Sequence, residues 1–195
     1  MFTGIITSTG TIKKRTARGL EIAADASFVR KLKAGDSISV NGACLTVISA
    51  RSQKISADVM SETWSKTMLG KLGPNTKINL ELPLKAGAFI SGHFVQGHVD
   101  GVAKVTAIKK MKGSRIISFK APTAIARYLV SKGSVAINGI SLTITDSQKK
   151  KFSVGTISHT WSATMLHTVK KGDLVNIEVD ILAKYARKLF SSKYL

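Results

Sequence analysis

The sequence predicts an all-β protein built from two copies of one small barrel, followed by a helix. Three observations carry this. The phrase SETWSKTML at residues 61–69 returns as SHTWSATML at 158–166, seven letters of nine unchanged and 97 positions later. Apolar and polar residues alternate in short runs, the period of a strand with one buried face. Asn-Gly and Gly-Asp pairs punctuate those runs.

The repeat runs through the chain. Asn41-Gly42 with Leu45-Thr46 falls on Asn138-Gly139 with Leu142-Thr143. Asn79 and Glu81 of INLEL fall on Asn176 and Glu178 of VNIEV, and Gly35-Asp36-Ser37 on Lys132-Gly133-Ser134. The same shift of 97 sets Phe2-Thr3-Gly4 on Val99-Asp100-Gly101 and Met1 opposite His98, so equal loop lengths are expected throughout. Two copies at this long period do not make a solenoid.

Each half reads mostly as strand. Ser37 to Val40 alternates and runs into Asn-Gly at 41–42, a tight hairpin signal. Lys77 to Leu82 alternates, as does its counterpart Val175 to Val179. Short strands between turn signals suggest a small antiparallel barrel. One short helical segment per half is expected, at Ala26 to Leu32 and Thr123 to Ser131; Ile125, Tyr128 and Leu129 form one face of the second. The repeated phrase itself reads as strand and loop. Residues 84–96, LKAGAFISGHFVQ, link the halves, which gives domains 1–96 and 97–195. Asp180 is a helix-capping residue type. After it Ile181, Leu182, Tyr185 and Leu189 share one face, with Ala186 beside them, opposite Lys184, Arg187 and Lys188, so a helix is expected over about 181–192. A helix of ~12 residues is marginal alone in water. Its apolar face needs either the barrels or the same helix from other subunits, and self-association is the preferred reading.

Composition narrows the function classes. Of 195 residues 44% are apolar, enough for a packed core. No stretch approaches the roughly 20 apolar residues of a membrane span, and MFTGIITSTG lacks the features of a signal peptide. The single cysteine, Cys44, fits a reducing compartment, so a soluble cytoplasmic protein is expected. The net charge is +19, from 30 basic and 11 acidic residues. The basic residues sit in short runs, such as Lys13-Lys14-Arg15 and Lys149-Lys150-Lys151, without interleaved aromatics for stacking on bases. A solvated basic surface is the reading, and no nucleic-acid partner is expected.

No phosphate loop, dinucleotide fingerprint or hydrolase elbow is present. His93 and His98 stand five apart with no Cys or carboxylate cluster near, so no metal is expected. Small polar residues near turns remain. Cys44 and Thr46 point to one side of a strand, and Ser141 and Thr143 hold the same places in the second half. Each has a plainer reading: a hydroxyl that satisfies a backbone group, a thiol that fills a core. Two equivalent polar pockets suit two similar ligands, or a reaction between two identical molecules, where proximity supplies much of the rate.

MFTGII, VNGACLTV, SGHFVQGHVDG, INGISLTI and VNIEVDILAKYARKL together resemble the riboflavin synthases of the alpha-chain, lumazine-binding repeat type, from residue 1 to about 190. The resemblance implies two tandem six-stranded Greek-key barrels and a C-terminal α-helix that builds a homotrimer. It implies a dismutation in which two 6,7-dimethyl-8-ribityllumazine molecules exchange a four-carbon unit, with no cofactor and no metal. The reacting pair would meet where the N-barrel of one subunit faces the C-barrel of its neighbour.

Carried over by motif, the N-terminal pocket would use Gly4, Ile5, Ile6, Cys44, Leu45, Thr46, Asp58, Val59, Met60, Ser61, Glu62 and Thr63. The C-terminal pocket would use Gly97, His98, Val99, Lys132, Ser141, Leu142, Thr143, Thr156, Ile157, Ser158, His159 and Thr160. Phe2, Ser37, Cys44, His98, Ser141, Thr143 and Asp180 resemble the catalytic set. His98 is the best general acid/base by intrinsic pKa. Trp64 and Trp161 replace an expected aliphatic residue, and His159 an expected Glu. The alternative reading is a non-catalytic lumazine- or flavin-binding protein of the same fold.

Overall fold

The computed structural model describes residues 1–190. Strands β1 (Ser8–Arg15), β2 (Gly19–Ala24), β3 (Ser37–Val40), β4 (Ala43–Arg51), β5 (Lys54–Asp58) and β6 (Lys77–Glu81) close into a barrel in the order β1-β2-β5-β4-β3-β6. Strands β7 (Gly101–Met111), β8 (Ser114–Lys120), β9 (Ser134–Ile137), β10 (Ile140–Gln148), β11 (Lys151–Ile157) and β12 (Leu174–Val179) close a second barrel in the equivalent order. The pairs are antiparallel, and the crossed order is a Greek key. Closure leaves no free sheet edge.

Alternation fills each barrel. Ile12, Ile22, Ile38, Ile55, Ile78 and Leu80 are sealed in the first; Val105, Ile117, Phe119, Phe152, Val154 and Ile177 are sealed in the second. The Phe119 and Phe152 rings stack with centroids 5.0 Å apart. Helices α1 (Ala26–Val29) and α3 (Thr123–Ala126) are shorter than the sequence suggests. The chain beyond each tightens into i to i+3 bonds, Leu32 N to Val29 O and Leu129 N to Ala126 O, and these residues plug the barrel ends.

The repeated phrase is helical rather than strand and loop. It forms α2 (Ser61–Lys66) and α4 (Ser158–Ala163), each followed by a 3-10 turn at Met68–Lys71 and Met165–Thr168. A threonine makes each break. Thr67 Oγ1 donates to Thr63 O at 2.6 Å and accepts from Leu69 N at 3.2 Å, and Thr164 does the same between Thr160 and Leu166. Trp64 and Trp161 pack on the core of their own barrel, with Arg15 and Arg115 over their rings.

The halves do not align without a gap. Ser8 pairs with Leu80 and Gly101 with Ile177, so the first strands are offset by 93, while the other strands keep 97. The difference lies in the β7–β8 hairpin, which adds rungs out to Met111–Ser114. Bulges confirm it: the register shifts around Lys13 and Thr106, 93 apart, but around Ile48 and Thr145, 97 apart. Ile5, not Met1, is therefore the counterpart of His98.

The barrels meet across a local two-fold axis made of the Asn-Gly hairpins. Asn41 and Gly42 have φ of 46° and 80°, the left-handed pair a two-residue turn needs. A Cβ on Gly42 would lie 2.6 Å from Gly139 N, so the two turns touch backbone to backbone. Asn79 Nδ2 donates to Asn138 O at 2.9 Å and Asn79 Oδ1 accepts from Met165 N at 2.7 Å. Asn176 returns both bonds, to Asn41 O at 2.8 Å and from Met68 N at 2.7 Å. The end of each repeated phrase is thus tied to the last strand of the other barrel.

Helix α5 (Ile181–Leu189) starts at Asp180, whose Oδ1 accepts from Leu182 N at 2.9 Å. Lys184 Nζ reaches Asp100 at 2.7 Å, and Asp100 also holds Val179 N, which fixes the helix to the second barrel. Leu182, Tyr185 and Leu189 are each more than half exposed. Residues 191 and 192 of the expected helix lie outside the described residues. Among the described residues no helix is long and apolar enough to cross a membrane, and no group of His, Cys, Asp and Glu could hold a metal ion. The basic runs are exposed at hairpins and strand ends.

Candidate active site

The candidate residues fall on a cleft at the first barrel and on the face of the second barrel that the local two-fold relates to it. In the first, β4 supplies Ala43 and Cys44, and the α2 region supplies Met60, Glu62, Thr63, Lys66 and Thr67. The remaining wall comes from Gly97, His98 and Val99, just before the second barrel. The grouping expected from sequence is therefore exchanged. The segment 97–99 completes the first barrel's cleft, and the N-terminal segment lies against the second barrel.

Backbone bonds and close approach fix this exchange. Cys44 N donates to Gly97 O at 2.9 Å, and Ser141 N donates to Gly4 O at 2.8 Å. Gly97 has φ of 81°, and a Cβ there would lie 2.5 Å from Cys44 Cβ, so only glycine fits. Gly4 meets Ser141 in the same way. Val99 packs on the first barrel's core and Ile6 on the second's.

Two buried carboxylates hold the crossing segments. Glu178 at the end of β12 accepts from Gln96 N at 2.7 Å and Gly97 N at 3.0 Å. Glu81 at the end of β6 accepts from Thr3 N, Thr3 Oγ1 and Gly4 N. Burial pushes the Glu178 carboxyl up to about 6, against the pull of the two backbone N–H groups. Burial likewise raises Glu81. Each barrel thus clamps the segment that lies against the candidate residues of the other.

The catalytic candidates divide between the cleft at the first barrel and the matching face of the second. Cys44 and His98 line the first. Ser141 belongs to the second, with its Oγ 2.7 Å from His93 Nδ1. Phe2 is fully buried with Val95 and Ala136, and Cys44 packs against that cluster. Ser37 pairs with Thr46, and Thr143 with Ser134, on the hairpins that carry Cys44 and Ser141. Asp180 caps α5, and its charge reaches His93.

Among the binding candidates, Leu45, Leu142, Val59 and Thr156 are buried, so the first three, which point into the barrel cores, offer a ligand only backbone. Thr46, Asp58, Met60, Ser61 and Glu62 are exposed along the first cleft's strand and helix, with Thr63 half-buried. Ile157, Ser158, His159 and Thr160 repeat that arrangement on β11 and α4. Ile5 is exposed, and Lys132 stands exposed at the entry to β9 with φ of 68°.

Sequence reasoning gave no role to Glu81, Glu178 or His93. The repeat did mark Glu81 and Glu178, polar residues recurring in apolar strands. His93 is 8% exposed and offers no signal in sequence.

A sequence family described as the lumazine binding domain matches twice, over residues 3–83 and 96–180. The chain is 39% identical over 196 residues to the riboflavin synthase of Actinobacillus pleuropneumoniae, covering 99% of this chain and 91% of that protein. It is 40% identical over 188 residues to that of Bacillus amyloliquefaciens, covering 95% and 87%. The crystal structure of LumP complexed with riboflavin superposes with a TM-score of 0.85 at 25% identity, covering 92% of this chain and 99% of that one. LumP complexed with 6,7-dimethyl-8-(1'-D-ribityl) lumazine gives 0.82 at 24% identity, a likeness of fold. With a copy of the domain matched in each half and full-length relatives at this identity, the chain belongs to the lumazine-binding family of the riboflavin synthases.

Proposed function

We propose that this chain is a transferase that converts two molecules of 6,7-dimethyl-8-ribityllumazine into riboflavin and 5-amino-6-ribitylaminouracil, the last step of riboflavin biosynthesis. The observation that carries the reading is 39–40% identity to riboflavin synthases over nearly the whole chain, joined to a fold of two equivalent barrels with a cleft at the first. A four-carbon unit passes between two copies of one substrate, so the reaction needs two sites of the same general shape and no cofactor.

The first cleft has the equipment for proton transfer. One lumazine loses a proton from its C7 methyl, and the carbanion is delocalised into the ring, so a moderate base suffices. His98 stands open to the cleft beside Cys44 and takes that proton. On the matching face of the second barrel Ser141 and Thr143 position the hydroxyl or water that adds to the other ring. Incubating the protein with the lumazine is expected to produce riboflavin absorbance; bound, unchanged lumazine would instead support a non-catalytic binder. His98→Ala should lower kcat by about a hundredfold or more, the usual worth of a general acid/base, with lumazine affinity kept. Near-normal turnover would remove His98 from the proton step.

The working assembly is a cytoplasmic homotrimer. Support comes from α5, whose apolar Leu182, Tyr185 and Leu189 are each more than half exposed. Sedimentation should find trimers of the full chain and smaller species of a chain ending at Asp180. The same oligomer for both would sink the helix's part in assembly.

A further inference from the structure

We propose that His93 is a positioning residue that accepts no hydrogen bond from Ser141 but donates one to its oxygen, so that the Ser141 hydroxyl is turned as a donor toward the substrate face of the second barrel. The inference rests on the proposed reaction only for what the donor meets there, the bound lumazine or the hydroxyl or water held against its ring.

The geometry narrows the imidazole to one arrangement. His93 lies in the segment that pairs with the N-terminus, where its N–H donates to Thr3 O at 3.1 Å. The side chain is 8% exposed. Nδ1 is 2.7 Å from Ser141 Oγ, while Nε2 is buried and has no partner among the described residues. A neutral imidazole carries one hydrogen. Placed on Nε2, it would be a buried N–H donor with nothing to meet, and Ser141 would have to spend its only hydrogen on Nδ1. Placed on Nδ1, it satisfies Ser141 Oγ and leaves only a lone pair unmet. Orphaned buried N–H groups are the rarer defect. Burial keeps the ring neutral; Asp180 is the charged group that works the other way.

Ser141 is then held at both ends. Its backbone N–H is bonded to Gly4 O at 2.8 Å. Its oxygen accepts from His93, and its own hydrogen is left over. Ser141 holds the place in β10 that Cys44 holds in β4, and Cys44 lines the first cleft. The spare hydrogen therefore serves that side of the second barrel. Among the described residues no side chain makes such a bond to the Cys44 thiol. The pair His93–Ser141 is thus a polar device that the second barrel has at this position and the first lacks.

The test uses the full-length protein and 6,7-dimethyl-8-ribityllumazine as probe. Two-bond proton–nitrogen correlation spectra should show His93 as the Nδ1–H tautomer; an Nε2–H tautomer overturns the proposal without any variant being made. His93→Phe should weaken lumazine binding, followed by fluorescence, by about tenfold, and His93→Asn, which keeps a donor near the Nδ1 position, should recover most of it. In a Ser141→Ala background His93→Phe should cost little more, because the pair acts through one hydroxyl. Losses that simply multiply would overturn the assignment. These readouts are binding and spectroscopy, so a wild-type protein that bound lumazine without forming riboflavin would defeat the proposed reaction and leave this test standing.

Discussion

Phe2→Ala is expected to destabilise the protein by about 3–5 kcal/mol, the usual cost of truncating a buried phenylalanine, and to abolish most turnover. Phe2 is 0% exposed, although it is the second residue. Its N–H donates to Val95 O at 2.7 Å and its carbonyl accepts from Val95 N at 3.1 Å. The ring packs on Val95 and on Ala136 of β9, with Cys44 against the cluster. Two closed barrels flank this spot, so the cavity left by alanine cannot collapse. The segments released, 3–6 and 96–99, are those bonded against Ser141 and Cys44. Denaturant midpoints with lumazine titration measure both effects. A loss under about 1 kcal/mol with normal turnover would show that the N-terminal segment is not pinned by this ring.

Asn79→Leu should cost roughly 2–5 kcal/mol and split unfolding into two transitions. The side chain is buried at the local two-fold and makes two bonds to the other barrel, to Asn138 O and from Met165 N. Leucine fills similar space but orphans a carbonyl and an N–H, each unable to reach water. The mirror bonds of Asn176 remain on the other side of the axis, so Asn79→Leu combined with Asn176→Leu should fall further than either alone. Denaturation followed by both fluorescence and circular dichroism reads the result. A single cooperative transition at the wild-type midpoint would mean that the barrels are held together by something else.

Much of the fold was legible in residue order because period-two alternation is a local property. Ile78 and Leu80 announce the barrel interior of β6 directly. Asn79 and Glu81, on the opposite face, look like solvent-facing residues; they are buried because Asn79 meets Asn138 and Met165 of the other barrel and Glu81 holds the N-terminal segment at Thr3 and Gly4. Alternation cannot report what lies over the outer face. The offset of 93 in the first strands was hidden for a related reason. A longer β7–β8 hairpin changes no core residue, and Gly4 falls on Gly101 almost as well in letters as on Gly97 in space. The helical form of the repeated phrase depends on Thr67 and Thr164 hydrogen bonds, too few residues for a helical period to show. The site residues were legible as types. Their grouping was not, because Cys44 N to Gly97 O and Ser141 N to Gly4 O are contacts between distant segments.

Those two contacts have a consequence for how unlike sites arise. Arms traded across a two-fold are the signature of an exchanged dimer, in which each partner lends the other an identical piece. In such a dimer every substitution appears twice, and the sites stay equal. Here the two partners share one polypeptide, so each arm is encoded separately. Ile5 and His98 stand at equivalent points of the two arms, and Glu62 and His159 at equivalent points of the two helices. Covalent joining has released the pair from its own symmetry, which lets a reaction between two identical molecules treat them differently.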